Sequence, residues 1–204
     1  MESKIEQDSR RSVIIVASGP SALEVLDYQI DKTLHAIIAV NGAIDWLPEF
    51  DYWFTLDLSP ENVRRMNNPC YSGRYVIAFP PDDNIPPHVV RLERYSVGSS
   101  RYAMIKNGKL TCAIGLNENN NVINSGNSAF GALGLAYHLG FTQVALIGVD
   151  ADSQPRVEGG YSRDLSHLPQ LFESAMPQIN LVNCGKMKSS IPCLSLKEYL
   201  QSVI

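Results

Sequence analysis

The stretch Asn124–Asp152 (NSGNSAFGALGLAYHLGFTQVALIGVDAD) limits what the chain can fold into, because a loop, a helix and a buried strand follow one another directly. Ala129–Leu139 places apolar residues at helical spacing. Val144–Ile147 is continuously apolar, which is typical of a parallel strand buried on both faces. Asp150 and Asp152 follow the carboxyl end of that strand, where open α/β sheets bind ligands. The stretch therefore predicts one wall of a ligand site.

The same succession of apolar strand, polar tip and helix recurs along the rest of the chain. Most of the runs are rich in β-branched or aromatic residues, and none contains a charge, which favours buried strands. The predicted strands are Ser12–Ala17, Ala36–Val40, Tyr52–Leu56, Tyr75–Phe79 and Asn180–Asn183. The predicted helices begin at Ala22, cover Pro60–Met66 and Leu165–Met176, and end with one that starts at the capping box of Ser195 and Glu198. This alternation predicts an α/β, Rossmann-like, doubly wound and mostly parallel sheet with helices on both faces.

One segment, at about 80–121, interrupts this alternation. Its first part, PPDDNIPPH, contains four prolines, and Asn107-Gly108 lies between two apolar-rich runs, a strong signal for a two-residue hairpin turn. Long insertions over the ligand edge of such sheets often serve as lids. With 204 residues the chain can bury one complete core. We therefore expect a single nucleotide-binding α/β domain over 1–204 that carries a lid-like insertion.

The composition excludes several classes of function. The net charge is -4 and the isoelectric point is about 5.5, so no overall positive field attracts nucleic acid or an anionic membrane. The first twelve residues lack the apolar core of a signal peptide, and no apolar run approaches the roughly 20 residues that cross a bilayer. The 4 cysteines are widely spaced without a CxxC pair, which is typical of reduced thiols and not of a zinc site. We expect a cytoplasmic protein.

The turn after the first strand, Ser18-Gly19-Pro20-Ser21, is a candidate anion site. Ser21 and Glu24 have capping-box spacing, so we expect a helix from Ala22. A glycine permits close approach of the backbone, and free amides at a helix start favour an anion. The alternative is a strand-to-helix turn with no ligand.

Four pieces of sequence stand in an order that resembles known enzymes: VIIVASGPS at Val13–Ser21, AVNGA at Ala39–Ala43, Asn124–Asp150, and LVNCGKMKSSIP at Leu181–Pro192. This order resembles the bacterial sialyltransferases that use CMP-sialic acid. It is equally similar to the archaeal 6-hydroxymethylpterin pyrophosphokinase-like family, whose members also occur in phage and bacterial surface-polysaccharide contexts. The first resemblance implies a nucleotide-sugar-dependent glycosyltransferase that requires no cofactor. The second implies a magnesium-dependent diphosphate transferase that uses ATP, and a non-catalytic nucleotide-binding protein is a third reading.

The resemblance also assigns roles to individual residues. The first turn would line the phosphate or ribose side of the nucleotide, and Asn41 would contact the base, sugar or phosphate. Ser125 and Gly126, in the loop Asn124-Ser125-Gly126-Asn127, occupy the position of the sialyltransferase loop that holds the nucleotide and the transferred sugar. Asp150 matches an aspartate that positions the ribose or base. The nucleotide-binding set implied in this way is Ser18, Gly19, Pro20, Ser21, Asn41, Asp57, Asn124, Ser125, Gly126, Asn127 and Asp150.

The implied catalytic residues are Asp150 and a general base. The sialyltransferases take a histidine base from a loop after the aspartate strand, and His167 lies in the corresponding region. A neutral imidazole can accept the proton of an acceptor hydroxyl. The alternative is a histidine that packs a helix. Those enzymes also have an aromatic residue soon after the aspartate, whereas Ala151 follows here, and Tyr161 is the candidate substitute.

Carboxylates near the strand tips raise the question of a metal. Asp152 stands two residues after Asp150, and magnesium bridged by two carboxylates and phosphates is ordinary coordination chemistry. If the chain is a magnesium-dependent diphosphate transferase, Asp57 is the third candidate carboxylate for the metal. Its alternative role is an Asx cap at the start of the next helix. Arg101, Arg156 and Arg163 are candidate phosphate clamps or solvated loop residues. The sequence does not decide whether the acceptor of the transferred group is a surface glycan, a small molecule or a modified phage DNA base. The acidic net charge of the chain counts against DNA. The related transferases often assemble, which implies a homo-oligomer.

Overall fold

In the computed structural model, residues 5–68, 73–80, 85–97, 103–160 and 164–202 are described. Ten strands occur in these ranges: β1 Ser12–Val16, β2 His35–Val40, β3 Tyr52–Thr55, β4 Arg74–Ala78, β5 Val90–Tyr95, β6 Ile105–Lys106, β7 Lys109–Leu110, β8 Val122–Asn124, β9 Gln143–Ile147 and β10 Asn180–Asn183. The helices are α1 Pro60–Asn67, α2 Ser128–His138, α3 Leu168–Glu173 and α4 Leu196–Ser202, with 3₁₀ helices at Pro20–Asp27 and Asn41–Asp45.

Eight of the strands form one sheet in the order β10-β9-β1-β2-β3-β4-β5-β8, and every neighbouring pair is parallel. The strand order turns outward in both directions from β1, which pairs with β2 on one side and with β9 on the other. This is the doubly wound arrangement that the sequence predicts. The α/β fold class is therefore confirmed.

Helices cover both faces of the sheet, as predicted. One face of β1, through Val13 and Ile15, packs with residues of α2 and α3. The other face, through Ile14 and Val16, packs with the 3₁₀ helices, α1 and α4. Burial of both faces explains why these strands are continuously apolar in the sequence.

The segment assigned to a lid contains part of the sheet. Val90–Tyr95 forms β5 and pairs with β4, and β5 pairs in turn with β8. The hairpin predicted at Asn107-Gly108 is confirmed, because β6 and β7 flank it and both residues have positive φ. No helix within the described residues is long and apolar enough to cross a membrane.

Two helical predictions need correction. The helix after β1 is a 3₁₀ helix that begins at Pro20, and no side chain caps it. The helix predicted over 165–176 is shorter, because α3 covers Leu168–Glu173 with its proline in the first turn. The capping box at α4 is confirmed: Ser195 Oγ accepts from Glu198 N at 3.2 Å, and Glu198 Oε2 accepts from Ser195 N at 2.8 Å.

Candidate functional site

A cleft lies at the carboxyl edge of the sheet, where the tips of β1, β2 and β9 meet the start of α2. Ser18, Gly19, Asn41, Asn127 and residues 148–152 contribute to its walls, and Leu165 and Leu168 give it an apolar side. Its enclosed part has a volume of about 80 Å³. Ordinary small-molecule pockets hold several hundred Å³. The cleft is therefore smaller than a nucleotide, and a nucleotide-sized ligand must extend beyond it into the open.

Several amides of the turn after β1 form hydrogen bonds inside the protein. Gly19 N donates to Gly148 O at 2.8 Å, and Ala22 N donates to Gly19 O at 2.9 Å. Ser21 N donates to Asp150 Oδ2 at 2.9 Å, and Pro20 has no amide hydrogen. The expectation of free amides is therefore wrong for Gly19 and Ser21, because residues that follow β9 already accept from them.

Asp150 joins this turn to the loop after β10. Its carboxylate is 6% exposed and accepts from Ser21 Oγ at 2.5 Å and from Lys186 N at 3.0 Å, in addition to Ser21 N. Ser21 Oγ in turn accepts from Gly148 N at 2.9 Å, so Ser21 does not form the predicted capping box. A carboxylate that accepts several hydrogen bonds in a buried place fixes the groups that donate to it. The cleft wall around Asp150 is thus held by side-chain hydrogen bonds.

Asn41 is held in an unusual conformation at the tip of β2. Its φ is 50°, in the left-handed region that asparagine tolerates better than most residues. Its backbone oxygen accepts from Trp53 Nε1 at 2.8 Å, and its Oδ1 accepts from Thr55 Oγ1 at 2.7 Å. Strained residues of this kind cluster at ligand sites. Asn41 is the predicted site residue whose setting in the structure most favours a ligand contact.

Only part of the loop before α2 lines the cleft. Asn127 lines the cleft, and its Oδ1 caps α2 by accepting from Ala129 N at 2.8 Å. Asn124 is buried, donating to Gly115 O at 2.9 Å and accepting from Asn117 Nδ2 at 3.1 Å. Ser125 is also buried, with Oγ 3.1 Å from Ser96 Oγ, and Gly126 packs against Leu171. The structure therefore brings Asn127 to the cleft, while Asn124, Ser125 and Gly126 lie behind its wall.

His167 is buried beside the cleft and does not line it. Its neighbours Leu165 and Leu168 line the cleft, whereas His167 is 6% exposed. Its Nε2 is buried and has no hydrogen-bond partner among the described residues. Burial lowers the pKa of His167, against an opposing effect of Asp164, so the ring is neutral at pH 7. A neutral imidazole with an unengaged nitrogen is the state that a general base requires.

Two of the three carboxylates considered for a metal stand apart from the cleft interior. Asp57 is exposed and does not line the cleft, and Ser59 caps α1 in its place by accepting from Asn62 N at 3.4 Å. Asp152 is exposed on the rim, where its Oδ1 accepts from Gln154 N at 3.0 Å. Within the described ranges, no group of at least three His, Cys, Asp or Glu side chains is arranged to hold a metal ion. Asp150 and Asp152 both line the cleft, and the role of Asp152 as a magnesium ligand beside a bound phosphate stays a prediction.

Arg156 is a cationic residue of the cleft. Its side chain is exposed, and its guanidinium has no hydrogen-bond or ion-pair partner in the described part of the chain. The other candidate clamps, Arg101 and Arg163, and the candidate aromatic Tyr161 lie outside the described residues.

Two buried polar residues behind Asn41 were not predicted from the sequence. Thr55 at the end of β3 and Asn62 in α1 are 0% and 2% exposed, and Asn62 Nδ2 donates to Thr55 Oγ1 at 3.0 Å. Polar side chains inside an apolar strand and an amphipathic helix were the available signal. Thr55 and Asn62 are separated by 7 residues, and Thr55 and Asn41 by 14, but they lie on different elements, so sequence spacing alone does not show that they are in contact.

Comparison with known proteins gives one informative similarity. No protein-family model and no curated protein sequence matches the chain. The structure is similar to that of a MAf glycosyltransferase from Magnetospirillum magneticum AMB-1, with a TM-score of 0.57 and 18% sequence identity. The similarity covers 99% of this chain and 36% of the glycosyltransferase. At this identity it shows a glycosyltransferase-like fold, and this chain spans about a third of that protein.

Proposed function

We propose that this chain is a nucleotide-sugar-dependent glycosyltransferase whose donor binds in the cleft at the carboxyl edge of the sheet. The observation that carries the proposal is the glycosyltransferase-like fold over 99% of the chain, combined with a cleft at the strand tips that has both polar and apolar side chains in its walls. Ligands of open α/β sheets bind at this edge. The nucleotide-binding roles of Gly19, Asn41 and Asn127 belong to this proposal, because these residues line the cleft.

The chemistry of such a transfer matches what the cleft offers. The bond between the anomeric carbon and the donor phosphate breaks, and a bond from that carbon to an acceptor oxygen forms. The departing phosphate requires stabilisation by hydrogen-bond donors or cations. Arg156 supplies a cation at the cleft. His167, which lies beside the cleft with its Nε2 unengaged, is proposed to accept the proton of the acceptor hydroxyl, a role that requires its ring to become accessible from the cleft.

Asp150 is proposed to act on the donor indirectly. Its carboxylate oxygens accept three hydrogen bonds from Ser21 and Lys186. This arrangement supports a role in shaping the donor site. The proposed consequence is that the loss of Asp150 lowers donor affinity through movement of the first turn.

A ligand screen on the intact chain tests the proposal. Thermal unfolding is followed with CMP, CDP, UDP, ATP and their sugar conjugates, each with and without magnesium. Ligands that bind the native state raise the melting temperature. A shift with one pyrimidine nucleotide and its sugar conjugate without magnesium supports the glycosyltransferase, and release of free sugar from that conjugate supports turnover.

The same screen separates the competing readings. A shift that requires ATP and magnesium together supports a diphosphate transferase. A nucleotide shift without release of sugar or phosphate in the presence of candidate acceptors supports a binding protein. The absence of a shift with every nucleotide would reject the proposed donor site.

A further inference from the structure

A chain of hydrogen bonds starts on the surface at Asp45, passes through the buried pair Asn62 and Thr55, and leads to the cleft. Arg65 forms an ion pair with Asp45 at 2.5 Å, and its Nη1 donates to Asn62 Oδ1 at 2.6 Å. A guanidinium has donors and no acceptor. The atom of Asn62 that faces Arg65 must therefore be its oxygen, which directs the Asn62 amide nitrogen the other way.

The next link of this hydrogen-bond chain depends on how many hydrogen bonds one hydroxyl group can form. Thr55 Oγ1 accepts from Asn62 Nδ2 at 3.0 Å and from Asp57 N at 2.9 Å. A hydroxyl oxygen has two lone pairs and one proton. Both lone pairs are occupied, so Thr55 Oγ1 can only donate to its two remaining neighbours, Asn41 Oδ1 at 2.7 Å and Asp57 O at 3.1 Å. Asn41 is the nearer acceptor, and Asp57 O already accepts from Asn62 Nδ2 at 3.0 Å, so the single proton of Thr55 is assigned to Asn41.

Asn41 must then present its oxygen to Thr55 and its amide nitrogen elsewhere. A flipped amide would place N–H groups against an oxygen with no free lone pair. Asn41 lines the cleft, and its Nδ2 has no partner among the described residues. The hydrogen-bond chain thus sets the polarity of the cleft at Asn41: the protein offers a donor there.

Arg156 lines the same cleft and also offers donors only. Two donor groups, one of them cationic, select a ligand group with several acceptor oxygens and a negative charge. We propose that Asn41 and Arg156 bind a phosphate group of the donor, and that Thr55 and Asn62 are positioning residues that keep the Asn41 amide in its donating orientation. This inference rests on the proposed function for the identity of the donor, whereas its polarity follows from the hydrogen bonds alone.

The variant Asn41→Asp tests the polarity directly. Aspartate can still accept from Thr55 and also tolerates a left-handed backbone, so the fold is retained. It replaces the free donor by an anionic acceptor. Titration with inorganic pyrophosphate should show an affinity about 10- to 100-fold lower than that of the unchanged chain, because a charged hydrogen bond is lost and a like charge is added. Binding of the unphosphorylated nucleosides cytidine, uridine and adenosine should not change.

The variant pair Thr55→Val and Thr55→Ser tests the positioning role. Valine matches threonine in shape and removes the hydroxyl, which frees the Asn41 amide to rotate, whereas serine keeps the hydroxyl. Pyrophosphate affinity should fall several-fold in Thr55→Val and return to nearly the original value in Thr55→Ser. A merely structural role would lower the melting temperature in Thr55→Val without changing pyrophosphate affinity. If Thr55→Val does not fold, Asn62→Leu tests the positioning role in its place, because it removes the amide that donates to Thr55 Oγ1. Unchanged pyrophosphate affinity in that variant would overturn the positioning role.

The outcomes distinguish this inference from the proposed function. Unchanged pyrophosphate affinity in Asn41→Asp, or a loss confined to nucleosides, would overturn the inference and leave the glycosyltransferase reading intact. Pyrophosphate binding that Asn41→Asp abolishes, without binding of any sugar nucleotide, would support the inference and reject the function. If the unchanged chain binds neither pyrophosphate nor nucleotides, both are rejected.

Discussion

Gly19 lies so close to Asp150 that a Cβ atom at position 19 would stand 2.6 Å from Asp150 Oδ2. The same Cβ would stand 2.6 Å from the backbone oxygen of Gly148. The φ of Gly19 is -69°, an ordinary value for any residue. Glycine is therefore required here by the close approach of two strand tips and not by its backbone conformation.

Gly19→Ala should destabilise the protein by about 1–3 kcal/mol, because neither the hydrogen-bonded carboxylate nor the backbone oxygen can move freely. Chemical denaturation measures the change. Gly134→Ala is the matched control, since its Cβ would meet only the flexible end of Ile123 at 3.3 Å and alanine favours the helix α2. Equal stability of the two variants would contradict the close packing at Gly19.

Asp150→Asn should destabilise the protein by about 2–3 kcal/mol and weaken nucleotide binding. In asparagine, an amide nitrogen replaces one of the two carboxylate oxygens, and both oxygens accept hydrogen bonds from Ser21 or Lys186. At either position the new N–H group would face another donor, so buried donors would lose their acceptor. Asp152→Asn on the exposed rim should change stability by less than about 0.5 kcal/mol. Denaturation and nucleotide titration of the two variants give the comparison, and an unchanged dissociation constant in Asp150→Asn would remove Asp150 from the donor site.

His167→Leu should abolish transfer while it changes the free energy of unfolding at pH 7.5 by less than about 1 kcal/mol, because the buried Nε2 has no described partner to lose. Since burial lowers the pKa of His167 in the folded chain, the unfolded chain takes up a proton first as the pH falls below 6.5, and the folded state loses stability. The variant should therefore gain stability relative to the unchanged chain between pH 7.5 and 5.5.

His138→Leu is the control for that experiment. His138 Nε2 lies 2.9 Å from Val122 O, so its removal leaves a buried carbonyl without its partner. It should cost about 1–2 kcal/mol and leave transfer unaffected apart from the lost stability. Retained transfer in His167→Leu would exclude His167 as the base.

Asp8→Asn should lower stability by about 1–2 kcal/mol at pH 6, and the difference should vanish near pH 2. Hydrogen bonds from Arg10, chiefly through its side chain, lower the pKa of Asp8 to about 2, despite the opposing effect of burial. Because the pKa of Asp8 is lower in the folded chain than its unfolded value near 3.8, the ionised carboxylate stabilises the fold at pH values above 3.8. This contribution is lost as the pH falls towards 2. Urea denaturation from pH 6 to 2.5 measures the loss, with the largely exposed Glu6, in a Glu6→Gln variant, as the control. A difference that stays constant with pH would contradict the ion-pair explanation.

The central strands could be predicted from the sequence because each is covered by helices on both faces and carries no charge. β5 and β8 could not be predicted from the sequence. β5 alternates apolar residues with Arg91, Glu93 and Arg94 because it lies near the sheet edge, and β8 has only three residues beside an asparagine-rich loop. Neither pattern differs from that of a surface loop until the neighbouring strand is known.

The candidate site was predictable to the level of strand tips. The rule that polar residues after parallel strands converge placed Gly19, Asn41 and Asp150 together, as the structure has them. It did not show which of their atoms are engaged inside the protein. Asp150 and Ser21 are 129 residues apart in the sequence. Asn41 and Thr55 are only 14 apart but lie at the ends of neighbouring strands, and in both cases the packed structure is needed to show the contact.

β1 pairs with β9, with Ser12 opposite Gln143. One edge of this central strand therefore pairs with a segment from the last third of the chain. Closing a loop of that length costs conformational entropy before the pairing stabilises anything. During synthesis, β1 through β5 can line up in order, but β1 keeps an open hydrogen-bonding edge until β9 arrives. That edge is the place where a nascent or truncated chain is most exposed to strand pairing with a wrong partner. The same docking event delivers Asp150 to Ser21, so closure of the edge and completion of the cleft occur in one step of folding.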